Sequence, residues 1–194
     1  MQRISLTLAV SLALCCAVQA DEVEDGLASA LKFYKEGKPV DAASSLQKVQ
    51  KILGEKTGGA VAVALPDQIG GWRGGKVETK SLGATGGGTT TTRTYRQGGK
   101  DKDDEKKIIV TIAADSPLLG QISTFLKAPA LGRLLGAKPK QVGPYAAMYI
   151  GKEGILQFAV DQRYVVVVQG KKLSEDDIVE IAVGVKVETL KNIH

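Results

Sequence analysis

The sequence predicts an α+β protein: a mainly antiparallel six-stranded sheet with helices packed on it, preceded by an N-terminal helical hairpin. Three observations carry that prediction. Between Ala146 and Gly170, three short runs of aromatic and β-branched residues are separated by the polar turns Gly151-Lys152-Glu153-Gly154 and Asp161-Gln162-Arg163. This is the pattern of a three-strand antiparallel meander. Ile108 to Ala113 and Tyr164 to Val168 are apolar without alternation, so both faces of those strands are expected to be covered. The strand runs are grouped, with helical patterns between and after the groups, which is the α+β order.

Taken in order, the chain opens with Arg3, an apolar run from Ile4 to Val18, and Val18-Gln19-Ala20 before acidic Asp21. Small residues at −3 and −1 mark a secretory signal peptide, residues 1–20, cleaved after Ala20. A membrane anchor needs about 18 or more apolar residues. Cys15 and Cys16 lie where a lipoprotein cysteine would, but Leu14 and Cys15 precede them where a small residue is wanted. The mature chain is therefore expected to be periplasmic or secreted. It would have no cysteine, so no disulfide, thiol nucleophile or thiolate-bound metal. Roughly 174 residues then rely on an apolar core alone. The sole histidine is His194, the last residue. A histidine general base or multi-histidine metal site has no basis at such a position.

The 26 basic and 21 acidic residues give a net charge of +5, or +4 once Arg3 is removed. The basic side chains are spread along the chain. An exported compartment argues against nucleic acid as a partner and leaves weak attraction to an anionic membrane surface.

Residues 21–56 read as a helical hairpin. Leu27, Ala30, Leu31 and Tyr34 recur at helical spacing, and Gly37 and Pro39 close one helix and open the next. Val40, Ala43, Leu46, Val49, Ile52 and Leu53 form a second stripe. Asp21, Glu22, Glu24 and Asp25 suit a helix N-terminus. The glycines of Thr57-Gly58-Gly59-Ala60 suggest a flexible linker over 57–64.

The sheet domain is expected over 65–194. Lys76 to Leu82 and Thr89 to Arg96 read as strands, then Ile108 to Ala113. Ser116 and Pro117 begin a helix whose apolar face is Leu118, Leu119, Ile122, Phe125 and Leu126, restarting at Ala128-Pro129-Ala130 with Leu131, Leu134 and Leu135. Lys138 to Tyr145 leads into the meander. Ser174 and Asp177 form an acidic capping box for a terminal helix that buries Ile178, Ile181, Ala182, Val185 and Leu190.

Two glycine- or acid-rich stretches carry no chemistry. Gly83 to Gly88 lacks the Lys-Ser/Thr ending of a phosphate loop. Asp101, Asp103, Asp104 and Glu105 lack the order of an EF-hand and read as a solvated loop.

The stretches Leu65-Pro66 with Gly71-Trp72, Asp115-Ser116-Pro117-Leu118-Leu119, Pro129-Ala130-Leu131 and Val142-Gly143, together with the element order, resemble the PsbP family of extrinsic photosystem proteins. That fold is shared by a nuclear-import factor that binds a small GTPase, and by bacterial exported proteins without assigned activity. The resemblance covers residues 61–194. It implies a non-catalytic protein that docks on a larger assembly; no metal or cofactor ligands are matched. The hairpin is similar to a single tetratricopeptide unit through Ala30, Gly37, Ala42 and Leu46. Such units need about three copies to stand alone. It must therefore dock on the domain that follows, which is preferred, or on another chain.

The expected function is thus an exported binding or adaptor protein of the cell envelope, not an enzyme, with a protein partner and no cofactor. Phe33 and Tyr34 are its candidate partner anchors. The alternative is a small-ligand or lipid carrier. Trp72, Arg93, Tyr95 and Arg96 would line its site on the sheet face, with arginine gripping an anion. Trp72 has a second reading, as a plug at one end of the core. A hydrolase or metal site would fall on Asp67, Asp115 and Asp161, which sit at turns and caps.

Overall fold

Alternation in the strands and 3.6-residue periodicity in the helices produce eight strands and five α-helices in the computed structural model, which describes residues 14–82, 87–98, 106–116, 118–134 and 136–193. The proposed leader's residues 1–13, the glycine loop 83–86, the acidic loop 99–105, Pro117, Leu135 and His194 lie outside the described residues. The chain divides into two units, Met1–Leu53 and Gly54–His194.

In the first unit, α1 spans Leu14–Lys35 and α2 starts at Pro39. Gly37 takes φ 71°, its N–H bonds Tyr34 O, and the Lys38 N–H bonds Phe33 O at 2.9 Å. A left-handed glycine thus ends α1, and proline opens α2 without losing a needed donor. Ala30, Ala42 and Val49 are buried. A Cβ on Gly26 would lie 2.5 Å from Val49 Cγ2, so the two helices touch through small residues. The acidic residues 21–25 lie inside α1 rather than at its start.

The second unit is built on one antiparallel sheet: β1 (Gln68–Ile69), β2 (Trp72–Ser81), β3 (Thr89–Gln97), β4 (Lys106–Ala114), β5 (Ala137–Val142), β6 (Tyr145–Ile150), β7 (Ile155–Val160) and β8 (Tyr164–Gly170). Their order across the sheet is β1-β2-β3-β4-β8-β7-β6-β5. Two four-strand meanders meet where β4 pairs with β8.

The sheet has eight strands, not six. The two that the sequence hid are its edges. Two-residue β1 is too short to show alternation. β5 contains Pro139 and two lysines, which read as a lead-in. An edge strand has a free side, so it tolerates a proline, and charge there discourages edge-to-edge pairing.

The β4–β8 centre is covered on both faces, as its unbroken apolar runs require. On one face Val110, Ile112, Val166 and Val168 join the main core with Trp72, Tyr95, Leu156 and Phe158. Residues from the end of α2, from α5 (Glu175–Gly184) and from the 3-10 helix Val187–Asn192 complete it: Val61, Ile178, Ile181 and Leu190. On the other face Ala113 and Val165 pack against Ile122 of α3 (Leu118–Lys127), with Leu119, Leu126 and Val167 alongside. The short α4 (Pro129–Leu134) follows α3. The Ser174–Asp177 capping box is present in both directions at the start of α5.

Residues 57–62, expected in a linker, are the last turns of α2, which runs unbroken from Pro39 to Ala62. Gly54 and Gly58 are buried one turn apart. A Cβ on Gly58 would fall 2.0 Å from Thr79 Cγ2, and one on Gly54 2.9 Å from Ser81 Oγ. These glycines serve close approach of helix to strand rather than flexibility.

Candidate functional site

The four residues expected to line a ligand site are divided by the pleat of β3. Successive side chains in a strand point to opposite faces. Thr89, Thr91, Arg93 and Tyr95 therefore share the inner face, and all four are buried. Each donates to a main-chain carbonyl of the segment 54–67 or 75. Thr89 Oγ1 bonds Gly54 O and Thr91 Oγ1 bonds Gly58 O, both at 3.3 Å. Arg93 Nη1 bonds Leu65 O at 2.7 Å, and its Nε bonds Gly75 O at 2.8 Å. Its Nη2 meets the Asp67 carboxylate. The Tyr95 hydroxyl bonds Pro66 O at 2.9 Å.

This is a strip of buried polar contacts that ties the end of α2 and residues 65–67 onto the sheet. Buried carbonyls need donors, and an inward Thr-x-Thr-x-Arg-x-Tyr strand supplies them in sequence. Burial pushes the Tyr95 hydroxyl up to about 12; the Arg93 guanidinium pulls it down and the Asp67 carboxylate adds a smaller upward push. It stays protonated and a donor across the physiological range.

Trp72 is fully buried in the main core. Among the described residues, its indole N–H has no acceptor. Trp72, Arg93 and Tyr95 are therefore buried rather than exposed on a sheet face. Arg96 alone of the four is on the opposite face and exposed.

The hairpin presents a different surface. Its inward positions are small: Gly26, Ala30 and Ala42 against Val49. Its large apolar side chains point out. Leu27 is 47% exposed, Leu31 55% and Tyr34 71%. They recur at i, i+4 and i+7, one face of α1. Leu46 and Leu53 of α2, seven residues apart, are also exposed. Phe33, the other expected anchor, is half-buried. Leu27 and Leu31 were named from the sequence only as members of a helical stripe with Ala30 and Tyr34, because spacing alone does not say which members face inward. The structure divides that stripe, with alanine inward and both leucines outward. The excess of large over small residues in the stripe was the available signal.

The three aspartates proposed for carboxylate chemistry are not brought together as one group. Asp67 faces Arg93, Asp115 forms a two-bond ion pair with Arg163 at 3.1–3.2 Å, and Asp161 lies in the β7–β8 turn. The Arg163 guanidinium also donates to Ile193 O at 3.0 Å, fastening the C-terminal segment. Among the described residues, no three His, Cys, Asp or Glu side chains gather as a metal site would need. No described helix is long and apolar enough to cross a membrane. In comparisons with known proteins, no family model, curated protein or solved structure matches this chain.

Proposed function

We propose that this chain is an exported, non-catalytic binding or adaptor protein, and that the hairpin carries its partner-docking face. One observation carries the reading: Leu27, Leu31 and Tyr34 form an exposed apolar stripe on α1 while alanine and glycine close the hairpin's interior. A contiguous exposed apolar stripe of this kind costs solubility without a partner. Its i, i+4, i+7 spacing suits an amphipathic helix of another protein laid alongside. The leader-like residues 1–20 support an envelope partner, and the scarcity of thiols and imidazoles, two cysteines within residues 1–20 and a single histidine, suits holding rather than transforming.

A photo-crosslinking residue at position 34 of the full chain, expressed in cells, tests this. The expected result is a discrete heteromeric adduct that Leu31→Glu abolishes while secretion and folding persist. An adduct of twice the chain's mass assigns the face to self-association. No adduct, or adducts indifferent to Leu31→Glu, defeats the adaptor reading.

A further inference from the structure

The strand register lines up three cations on the sheet's outer face. Arg73 of β2 stands directly opposite Arg96 of β3, and Arg96 stands directly opposite Lys107 of β4. Residues opposed across neighbouring strands project to the same face with their Cβ atoms about 5 Å apart. All three are exposed. Like charges directly opposite destabilise a sheet, and here two such pairs share a member.

Two further features occur at the same place. β2 carries a bulge between Gly74 and Val77, so that two residues oppose one on β3. Bulges re-aim side chains and gather beside binding sites. Next to it opens a cleft of about 430 Å³ lined by Gly71, Gly74, Gly75 and Gly98 together with Arg73 and Arg96. Its four glycines contribute only main chain, beside the two arginine side chains. The volume falls in the range of small-ligand sites, about 300–1,000 Å³.

We propose that the Arg73–Arg96–Lys107 row and its glycine-lined cleft bind a phosphoryl oxyanion. Two planar forks and one ammonium present more donors than a single carboxylate has oxygens. A tetrahedral, negatively charged phosphoryl group, with oxygens directed out of one plane, matches both the donors and the charge. Arg96 has a further partner of its own, which five N–H donors allow it to keep. The headgroup of an anionic phospholipid and a soluble phosphate ester offer the same chemistry. The inference is independent of the hairpin reading, because a different unit carries it.

The test uses the mature full chain. Binding of inorganic phosphate and of glycerol phosphate is measured by calorimetry. Flotation is measured with phosphatidylcholine vesicles with and without phosphatidylglycerol. Arg73→Gln is expected to weaken the observed binding at least tenfold, and Arg73→Lys to restore part of it. Without ligand, Arg73→Gln is expected to leave the thermal midpoint unchanged or raised, since repulsion is relieved. Binding of the soluble ions alone assigns a soluble ester; flotation that requires phosphatidylglycerol assigns a headgroup. Failure of both probes, or equal binding by wild type and Arg73→Gln, overturns the proposal.

Discussion

Adjacent glycines near the end of α2 should respond to alanine with opposite signs. At Gly58 the new Cβ would lie 2.0 Å from Thr79 Cγ2, 2.8 Å from its Oγ1 and 2.9 Å from its Cβ. Rotating Thr79 cannot clear its own Cβ, so the helix must lift from β2 and β3. Overpacking of this kind costs about 1–3 kcal/mol. The lift also pulls Gly58 O from the Thr91 hydroxyl, leaving a fully buried donor unmet at about 1 kcal/mol or more. Alanine's better helix propensity returns about 1 kcal/mol. The net expectation for Gly58→Ala is a loss of about 1–3 kcal/mol. At Gly59, exposed and helical, the Cβ meets nothing within 4 Å. Gly59→Ala should therefore gain up to about 1 kcal/mol. Trp72, the chain's only tryptophan and buried in this unit, reports the transition by fluorescence in urea. For a chain of this length each kcal/mol moves the thermal midpoint by roughly 2–4 °C. Equal shifts for the two variants, or a stabilising Gly58→Ala, would refute close packing and return residues 57–60 to the role of a linker.

Two other outcomes follow from single groups. The Tyr164 hydroxyl is buried without a partner among the described residues, and burial raises its pKa. Tyr164→Phe should therefore leave stability unchanged or raise it by up to about 1–3 kcal/mol; a clear drop in thermal midpoint would mean that the hydroxyl is satisfied. Burial pushes the Asp177 carboxyl up, but bonds from Ser174 and from Lys106, 3.1 Å away, outweigh it and hold the carboxyl below the ordinary value. A depressed carboxyl contributes stability above its unfolded pKa, about 4, and loses it as pH falls through the lower folded value. Asp177→Asn should be less stable than wild type near neutrality, with the two converging as acid protonates Asp177. Parallel acid-denaturation curves would sink that assignment.

Much of the second unit was legible because its signals are local. Both turns of the β6–β8 meander, the unbroken runs of β4 and β8, and the Ser174–Asp177 cap each need only a few neighbouring residues. The terminal helix was legible in its buried residues but not in its shape: Val185 and Leu190 are buried as expected, yet α5 stops at Gly184 and a 3-10 helix carries on. What the sequence hid depends on distant partners. Glycines in 54–59 read as flexible because nothing nearby announces the threonines of β2 and β3 that they admit.

The site shows the same division more sharply. The pleat of β3 sets Thr91, Arg93 and Tyr95 on one face and Arg96 on the other, but periodicity says which way a side chain points and not what accepts its hydrogen bonds. The acceptors of Thr89, Thr91, Arg93 and Tyr95 in the segment 54–67 lie 28 to 35 residues away. An arginine turned inward therefore looked like a ligand clamp when its partners are two carbonyls and the Asp67 carboxylate of its own chain. Arg73 was missed for a related reason. Counting back from the Val77–Arg93 pair without a bulge would set Gly74 opposite Arg96 and turn Arg73 toward the core. The extra residue between Gly74 and Val77 shifts the register, and a shift of one exchanges the two faces. Trp72 is thereby sent into the core and Arg73 out beside Arg96. The packing of the sheet's end and the row of outer cations thus have one common cause, a single inserted residue in a glycine pair.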